Sequence, residues 1–211
     1  MRIDKETWRQ LTHLSGVVVL AIAWFLGDDL TGILSIAFGV FLFFLSIYVK
    51  IKNKIRENLP NEIRIKKLEE IEDSFHNLVN SLERERSEKN YIGAVIFFIA
   101  SGVSLLIFPQ KIAFISITVL AFGDSFSTIV GIHLGKHVTR INPPKTYEGT
   151  FGGLLASFLA CLIFTNPLVA LVSSSIGMLV EVLPIQINDN ILIPITVGFS
   201  LMGLVAIGVP I

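Results

Sequence analysis

Seven apolar stretches, divided by short polar breaks and one long charged segment, set the pattern of this chain. They cover residues 11–26, 32–49, 91–108, 112–134, 151–164, 168–183 and 191–209. A membrane-crossing helix needs roughly twenty apolar residues, with about 17 to 25 usual. Several stretches fall short, which predicts thin, tilted or partly re-entrant elements. The weakest pair, around Asn166-Pro167, could be a single hairpin. Ala21-Ile22-Ala23 mimics a signal-cleavage site after a basic start, but Trp24, Phe25 and Leu26 carry the apolar run past it. An uncleaved first helix is expected. In the charged segment, Ile63, Leu68, Ile71, Phe75, Leu78 and Leu82 recur at spacings of three, four and five. That period predicts an amphipathic helix over 61–89, lying on a membrane surface or pairing with a second copy as a homodimer. The expected fold is therefore an all-α polytopic integral membrane protein. It has about seven transmembrane helices in one membrane-embedded domain over 1–211, and residues 50–90 form a cytoplasmic amphipathic insertion.

Composition supports this class, since 52% of the 211 residues are hydrophobic and only 16% are charged. A soluble domain of this size could not bury so much apolar surface. Formal net charge is zero, so the information lies in where the charges fall. Arg2, Lys5 and Arg9 stand at the start, ten basic residues lie within 50–90, and Lys136, Arg140 and Lys145 share one loop. Of seventeen basic residues only Lys111 falls on the other side. By the positive-inside rule the N-terminus, segment 50–90, loop 136–149 and turn 186–190 are expected in the cytoplasm. The lone cysteine, Cys161, can form no intrachain disulfide and reads as a small core residue. His76 has no metal-ligand partner at helical spacing. Phosphate-binding GxxxxGK[ST] loops, GxGxxG fingerprints and zinc spacings are absent, and acidic residues balance the basic segment, so no nucleic-acid partner is expected.

The chemistry concentrates in residues 119–153. Asp124 sits inside an apolar stretch, where an ionisable group costs several kcal/mol and marks a functional site by default. Asp124, Thr128 and Gly131 recur at i, i+4 and i+7, an acidic, hydroxylic and small stripe suited to a metal ion or a phosphate. After Gly135 comes a cationic loop with Lys136, His137, Arg140 and Lys145, held extended by Asn142-Pro143-Pro144. The next helix begins near Glu148-Gly149-Thr150, and its N-terminal N–H groups suit a phosphate. Glu148 is equally a favourable first-turn acid. Arg9 and His13 lie one turn apart at the first span. Arg9 could be only an interfacial anchor beside Trp8, whereas His13 points into an apolar helix and needs a polar partner. Glu181 closes the sixth stretch, and Asp189-Asn190 opens the seventh before Pro194. Asp189 alone reads as an N-cap, but facing Asp124 it becomes a second ligand. Carboxylates with oxygen-only neighbours favour Mg²⁺. A proton or ion pathway would place charges near the midplane of several spans; here they gather at one face.

These elements, in order, resemble the CTP-dependent lipid-alcohol kinases, which include dolichol kinase, phytol and farnesol kinases and the CTP-dependent diacylglycerol kinase, distant relatives of the phosphatidate cytidylyltransferases. Arg9-Gln10-Leu11-Thr12-His13 resembles the family's opening R-K-x-x-H, with Gln10 in place of the second basic residue. Gly123-Asp124-Ser125 with Gly131 and Gly135 is similar to its G-D helix. Lys145-Thr146-Tyr147-Glu148-Gly149-Thr150 is similar to the K-[ST]-x-[EA]-G-[ST] element, and Glu181 with Asp189-Asn190 and Pro194 to the closing E…D-N-x-x-x-P. Glu85 or Glu88 with Gly93 loosely matches a further element. The resemblance implies transfer of the γ-phosphoryl group of CTP to a lipid alcohol such as a polyprenol or a glycerolipid. Asp124 and Asp189 would hold Mg²⁺, Arg9, Lys136 and Lys145 would neutralise phosphate, and Gly131, Gly149 and Thr150 would lie close to it. His13, Glu148 and Asp189 are open as the base. The lysine-threonine-aromatic-glutamate-glycine run also resembles the cytidylyltransferases, so attack on the α-phosphorus by a lipid phosphate is the alternative. A transporter or flippase is the second.

Overall fold

The computed structural model describes residues 13–57, 92–143 and 145–211, with backbone alone for 49–57. The expected amphipathic helix over 61–89, together with Arg9, His76, Glu85, Glu88 and Pro144, lies outside the described residues. Among them the helices are α1 (Gly16–Leu26), α2 (Asp28–Glu57), α3 (Ile92–Ile107), α4 (Gln110–Thr118), α5 (Ser125–Leu134), α6 (Tyr147–Cys161), α7 (Pro167–Val182) and α8 (Asp189–Ala206). A π-helical turn, Val119–Asp124, joins α4 to α5 so that Gln110–Leu134 runs on as one central helix. That makes seven rods, and no strand, among the described residues. Three rods are long and apolar enough to cross a membrane: Asp28–Tyr48 with 21 residues, Gln110–Leu134 with 25 and Asp189–Ala206 with 18. α1, α3 and α7 are apolar but shorter, so among the described residues three of the seven expected spans qualify by length and composition.

Local chemistry sets the boundaries. α1 and α2 are separated by Gly27 alone, whose φ of 86° only glycine adopts cheaply, so the chain reverses within one residue. α7 starts where Asn166 Oδ1 accepts the Val169 N–H at 3.0 Å and Pro167 fills a first-turn site that needs no donor. The two elements around Asn166-Pro167 form a helical hairpin, α6 and α7, packed side by side. At α8 the cap is Asn188 rather than Asp189; its Oδ1 accepts from Asn190 N at 3.0 Å, leaving Asp189 as the first helical residue.

Small residues bring α2 and α3 together. A Cβ at Gly102 would stand 2.5 Å from the Gly32 carbonyl oxygen, and Ser35 Oγ donates to Phe98 O at 2.8 Å. In a setting where apolar side chains gain nothing by leaving lipid, such close approach and such bonds are what associate helices. The central helix is enclosed by α1, α3, α6, α7 and α8, and 112–121 is buried throughout. The outer surface is the reverse of a soluble protein's: Trp24, Phe25, Phe44, Ile163 and Leu179 are all more than 60% exposed. Apolar exposure on that scale fits a bilayer.

The polar groups collect at two opposite ends. At one end Gln110 Nε2 donates to Asp28 Oδ1 at 3.1 Å, Asn166 Nδ2 to Pro210 O at 2.9 Å and Lys111 Nζ to Ile211 O at 2.5 Å. The other end carries the start of α1, the end of α5, the 135–146 loop, the end of α7 and the start of α8.

Candidate active site

That second end is built around Lys145. The residue precedes α6 at the close of a loop that folds on itself: Thr139 N donates to Lys145 O at 2.8 Å, Lys145 N to Asn142 O at 2.8 Å, and Tyr147 N to His137 O at 3.0 Å. The loop is a braced hairpin, not only an extended proline segment. It presents the Lys145 ammonium, with its side chain 25% exposed, to the wholly buried side chain of Glu181, with which it forms an ion pair through Oε1. Asp189 Oδ2 lies 3.6 Å from the same ammonium. Burial pulls the Lys145 pKa down, but the carboxylates of Glu181, Asp124 and Asp189 outweigh it and hold the value above the usual 10.5.

Asp124 enters from the central helix at the last residue of the π turn. π turns concentrate at functional sites because they re-aim side chains along an otherwise regular helix. Asp124 is 7% exposed, and its Oδ2 lies 3.7 Å from His13 Nδ1, with His13 2% exposed just before α1. Asp124 is thus a polar neighbour of His13. Ser127 brings a hydroxyl to the cluster, donating to Glu181 Oε1 at 2.5 Å. Asn190 Nδ2 donates to Gly93 O at 2.8 Å and ties the start of α8 to α3 beside Asp189.

The expected residues therefore divide. His13, Asp124, Lys145 and Asp189 converge. Glu148 stands aside from them: His137 Nδ1 is 2.5 Å from its Oε1, and His137 N donates to its Oε2 at 3.2 Å. The His137 hydrogen bond leads the causes that lower the Glu148 pKa from 4.5 to about 2, so the pair staples the loop. Lys136 and Arg140 lie exposed on that loop. Gly131 and Gly149 serve helix packing, since a Cβ on Gly149 would meet Ser127 O at 2.5 Å and the Gly131 Cα at 3.0 Å. The first-turn donors of α6 are largely engaged within the chain: Gly149 N donates to Thr146 Oγ1 at 3.1 Å, and the Thr150 hydroxyl donates to Thr146 O at 3.1 Å.

Glu181 is the residue whose weight at this site goes beyond its sequence reading as the end of a stretch. The signal was present, for a carboxylate closing an apolar helix needs a cation, and Lys145 is the loop residue beside the next helix.

Three carboxylates face one ammonium, so the cluster carries an excess of negative charge suited to a cation. Among the described residues no three His, Cys, Asp or Glu side chains form a metal centre by themselves. Mg²⁺ commonly takes one or two carboxylates and completes its shell with water and substrate phosphates. The oxygen-only donors Asp124 and Asp189 fit that mode, as does the buried Glu181 Oε2, which has no hydrogen-bond partner.

Comparison with known proteins agrees with the chemistry. "CTP-dependent diacylglycerol kinase 1" of Schizosaccharomyces pombe is 22% identical over 139 residues, covering 57% of this chain and 64% of the kinase. The chain thus spans less than two thirds of that relative's length. "Uncharacterized protein MJ1137" of Methanocaldococcus jannaschii is 29% identical over 208 residues, covering 92% of each chain. No protein-family model and no solved structure matches. The chain is distantly similar to a CTP-dependent lipid kinase.

Proposed function

We propose that this protein is a membrane phosphotransferase that moves the γ-phosphoryl group of CTP onto the hydroxyl of a lipid alcohol, an isoprenoid or a glycerolipid, at the cytoplasmic face. The observation that carries the reading is the convergence of Asp124, Lys145, Glu181 and Asp189 at one end of an apolar helical bundle. The choice of CTP and of a lipid alcohol draws on the distant kinase relative. Phosphoryl transfer asks a protein for positioning and charge neutralisation more than for covalent chemistry.

In this reading the lipid oxygen bonds to the γ-phosphorus, the bond from that phosphorus to the β–γ bridging oxygen breaks, and CDP leaves. The hydroxyl proton passes to the His13 ring, and the Asp124 carboxylate 3.7 Å away offsets the charge the ring then carries. Lys145 turns from Glu181 towards the triphosphate, with Arg9, Lys136 and Arg140 as further cations. Asp124 and Asp189 would hold Mg²⁺, which when bound neutralises the phosphate oxygens. Glu181 and Ser127 position Lys145.

Purified protein given Mg²⁺, mixed lipid alcohols and lipid phosphates, and CTP labelled at either phosphorus tests the reading. Label appearing in lipid from the γ position alone is the expected result. Label from the α position would establish a cytidylyltransferase, which the lysine-threonine-tyrosine-glutamate-glycine run before Gly152-Gly153 would equally serve. No lipid labelling from either would remove both.

A further inference from the structure

An apolar groove of about 260 Å³ lies between α1, the central helix and the end of α6. α1 lies antiparallel to the central helix: a Cβ on Gly16 would stand 2.9 Å from the Ala121 Cβ, and the Trp24 and Phe114 rings are 6.4 Å apart. Moving along α1 from His13 therefore means moving away from Asp124. The groove begins at Val17, one turn beyond His13, and at Phe122, two residues before Asp124. It ends on an aromatic floor, where Phe114 meets Trp24 and stands edge-on to Phe164 at 5.6 Å. From Phe122 to Phe114 the helical rise is about 12 Å.

We propose that this groove holds one hydrocarbon chain of the lipid substrate, with its hydroxyl end at the His13–Asp124 pair. The inference rests on the lipid-kinase reading and extends it to how the substrate is held. The volume lies below the roughly 300 Å³ at which sites for whole drug-sized ligands begin, so it suits a single chain segment. The rest of the chain leaves between Trp24 and Ile163, which are 70% and 78% exposed. Val17 at the near end of the groove lies one helical turn from His13, so a chain in the groove brings its hydroxyl head towards that residue.

Tryptophan quenching tests this without relying on turnover. The chain has two tryptophans, so the full-length Trp8→Phe protein reports from Trp24 alone. In phosphatidylcholine nanodiscs, diacylglycerol brominated on one chain should quench Trp24 several-fold more than the same mole fraction of equally brominated phosphatidylcholine. Ala21→Phe, which fills the groove, should remove that difference at an unchanged melting temperature, and Ile163→Phe at the exposed rim does the same service if the first variant fails to fold. Equal quenching by the two lipids, or a preference that survives filling, would overturn the proposal. γ-Phosphate transfer measured on the same preparation is read separately. Selective quenching without transfer keeps the groove and removes the kinase, while transfer with unselective quenching keeps the kinase and removes the groove.

Discussion

A carboxylate buried at the end of an apolar helix persists only if a cation answers it, and the Glu181–Lys145 pair is that answer. Removing one partner of a buried pair typically costs about 3–5 kcal/mol. For Glu181→Gln the loss should fall below that range, because Asp189 and Asp124 still face Lys145. We expect activity to drop at least tenfold through misplacement of Lys145, with KM for CTP rising. An unchanged KM would show that Glu181 does not position the lysine. The raised Lys145 pKa stabilises the fold fully below the usual 10.5 and is lost only as pH rises through the raised value, so Lys145 itself should add no pH dependence between neutrality and pH 9. The loop behaves oppositely. Glu148 is lowered to about 2, so its contribution is complete above 4.5 and vanishes as pH falls towards 2. Protection from hydrogen exchange in residues 136–146, relative to the intrinsic rate at each pH, should fall across that window in wild type and be low already at pH 6 in Glu148→Gln. At this scale Asp124 was legible as a charge that an apolar neighbourhood has to justify, Lys145 as a cation of the loop after Gly135, and Asp189 as an acid opening the seventh apolar stretch. The bond from Ser127 to Glu181 and the bond from Glu148 to His137 were not, since both depend on side-chain direction, which spacing alone leaves open.

At the scale of elements, close contact of α6 with the π turn and α7 sets the position of the site. A Cβ at Gly153 would stand 2.6 Å from Gly123 O and 2.6 Å from Met178 Sδ, whereas one at Gly203 would meet nothing within 4 Å. Gly153→Ala should therefore destabilise by about 1–3 kcal/mol through overpacking, and separate Ser127 and Glu181 from Lys145 with loss of activity. Gly203→Ala should be neutral or stabilise slightly, since an exposed helical glycine costs about 1 kcal/mol relative to alanine. Paired melting curves check this, and equal shifts would refute the packing argument. The helices themselves were readable from hydropathy. The π turn was not: it preserves the apolar pattern and shows only in the backbone. Nor was the cap at α8 placed to the residue, because Asn188 and Asp189 are both good caps and only one can be the last residue outside the helix.

For the molecule as a whole, polar residues at two ends of an apolar bundle imply an oriented membrane protein. In a Cys161→Ser background, a cysteine at position 136 should react with an impermeant maleimide only after cells are opened, and one at position 111 in intact cells. The reverse pattern would invert the orientation. Charge distribution along the sequence made this two-ended arrangement legible, and the contacts of Asp28, Lys111 and Asn166 at the end opposite Lys145 agree with it. Span count was less legible, because α1, α3 and α7 are apolar yet short. In the proposed function the carboxylate–lysine cluster is where phosphate is transferred. The measurement that reaches it most directly is γ-phosphate transfer from CTP to lipid alcohol by wild type and Asp124→Asn, each shown to be folded by its melting curve. A fall on the order of 10²–10³-fold or more with the melting temperature little changed is the predicted result; a folded variant that turns over at the wild-type rate would contradict it.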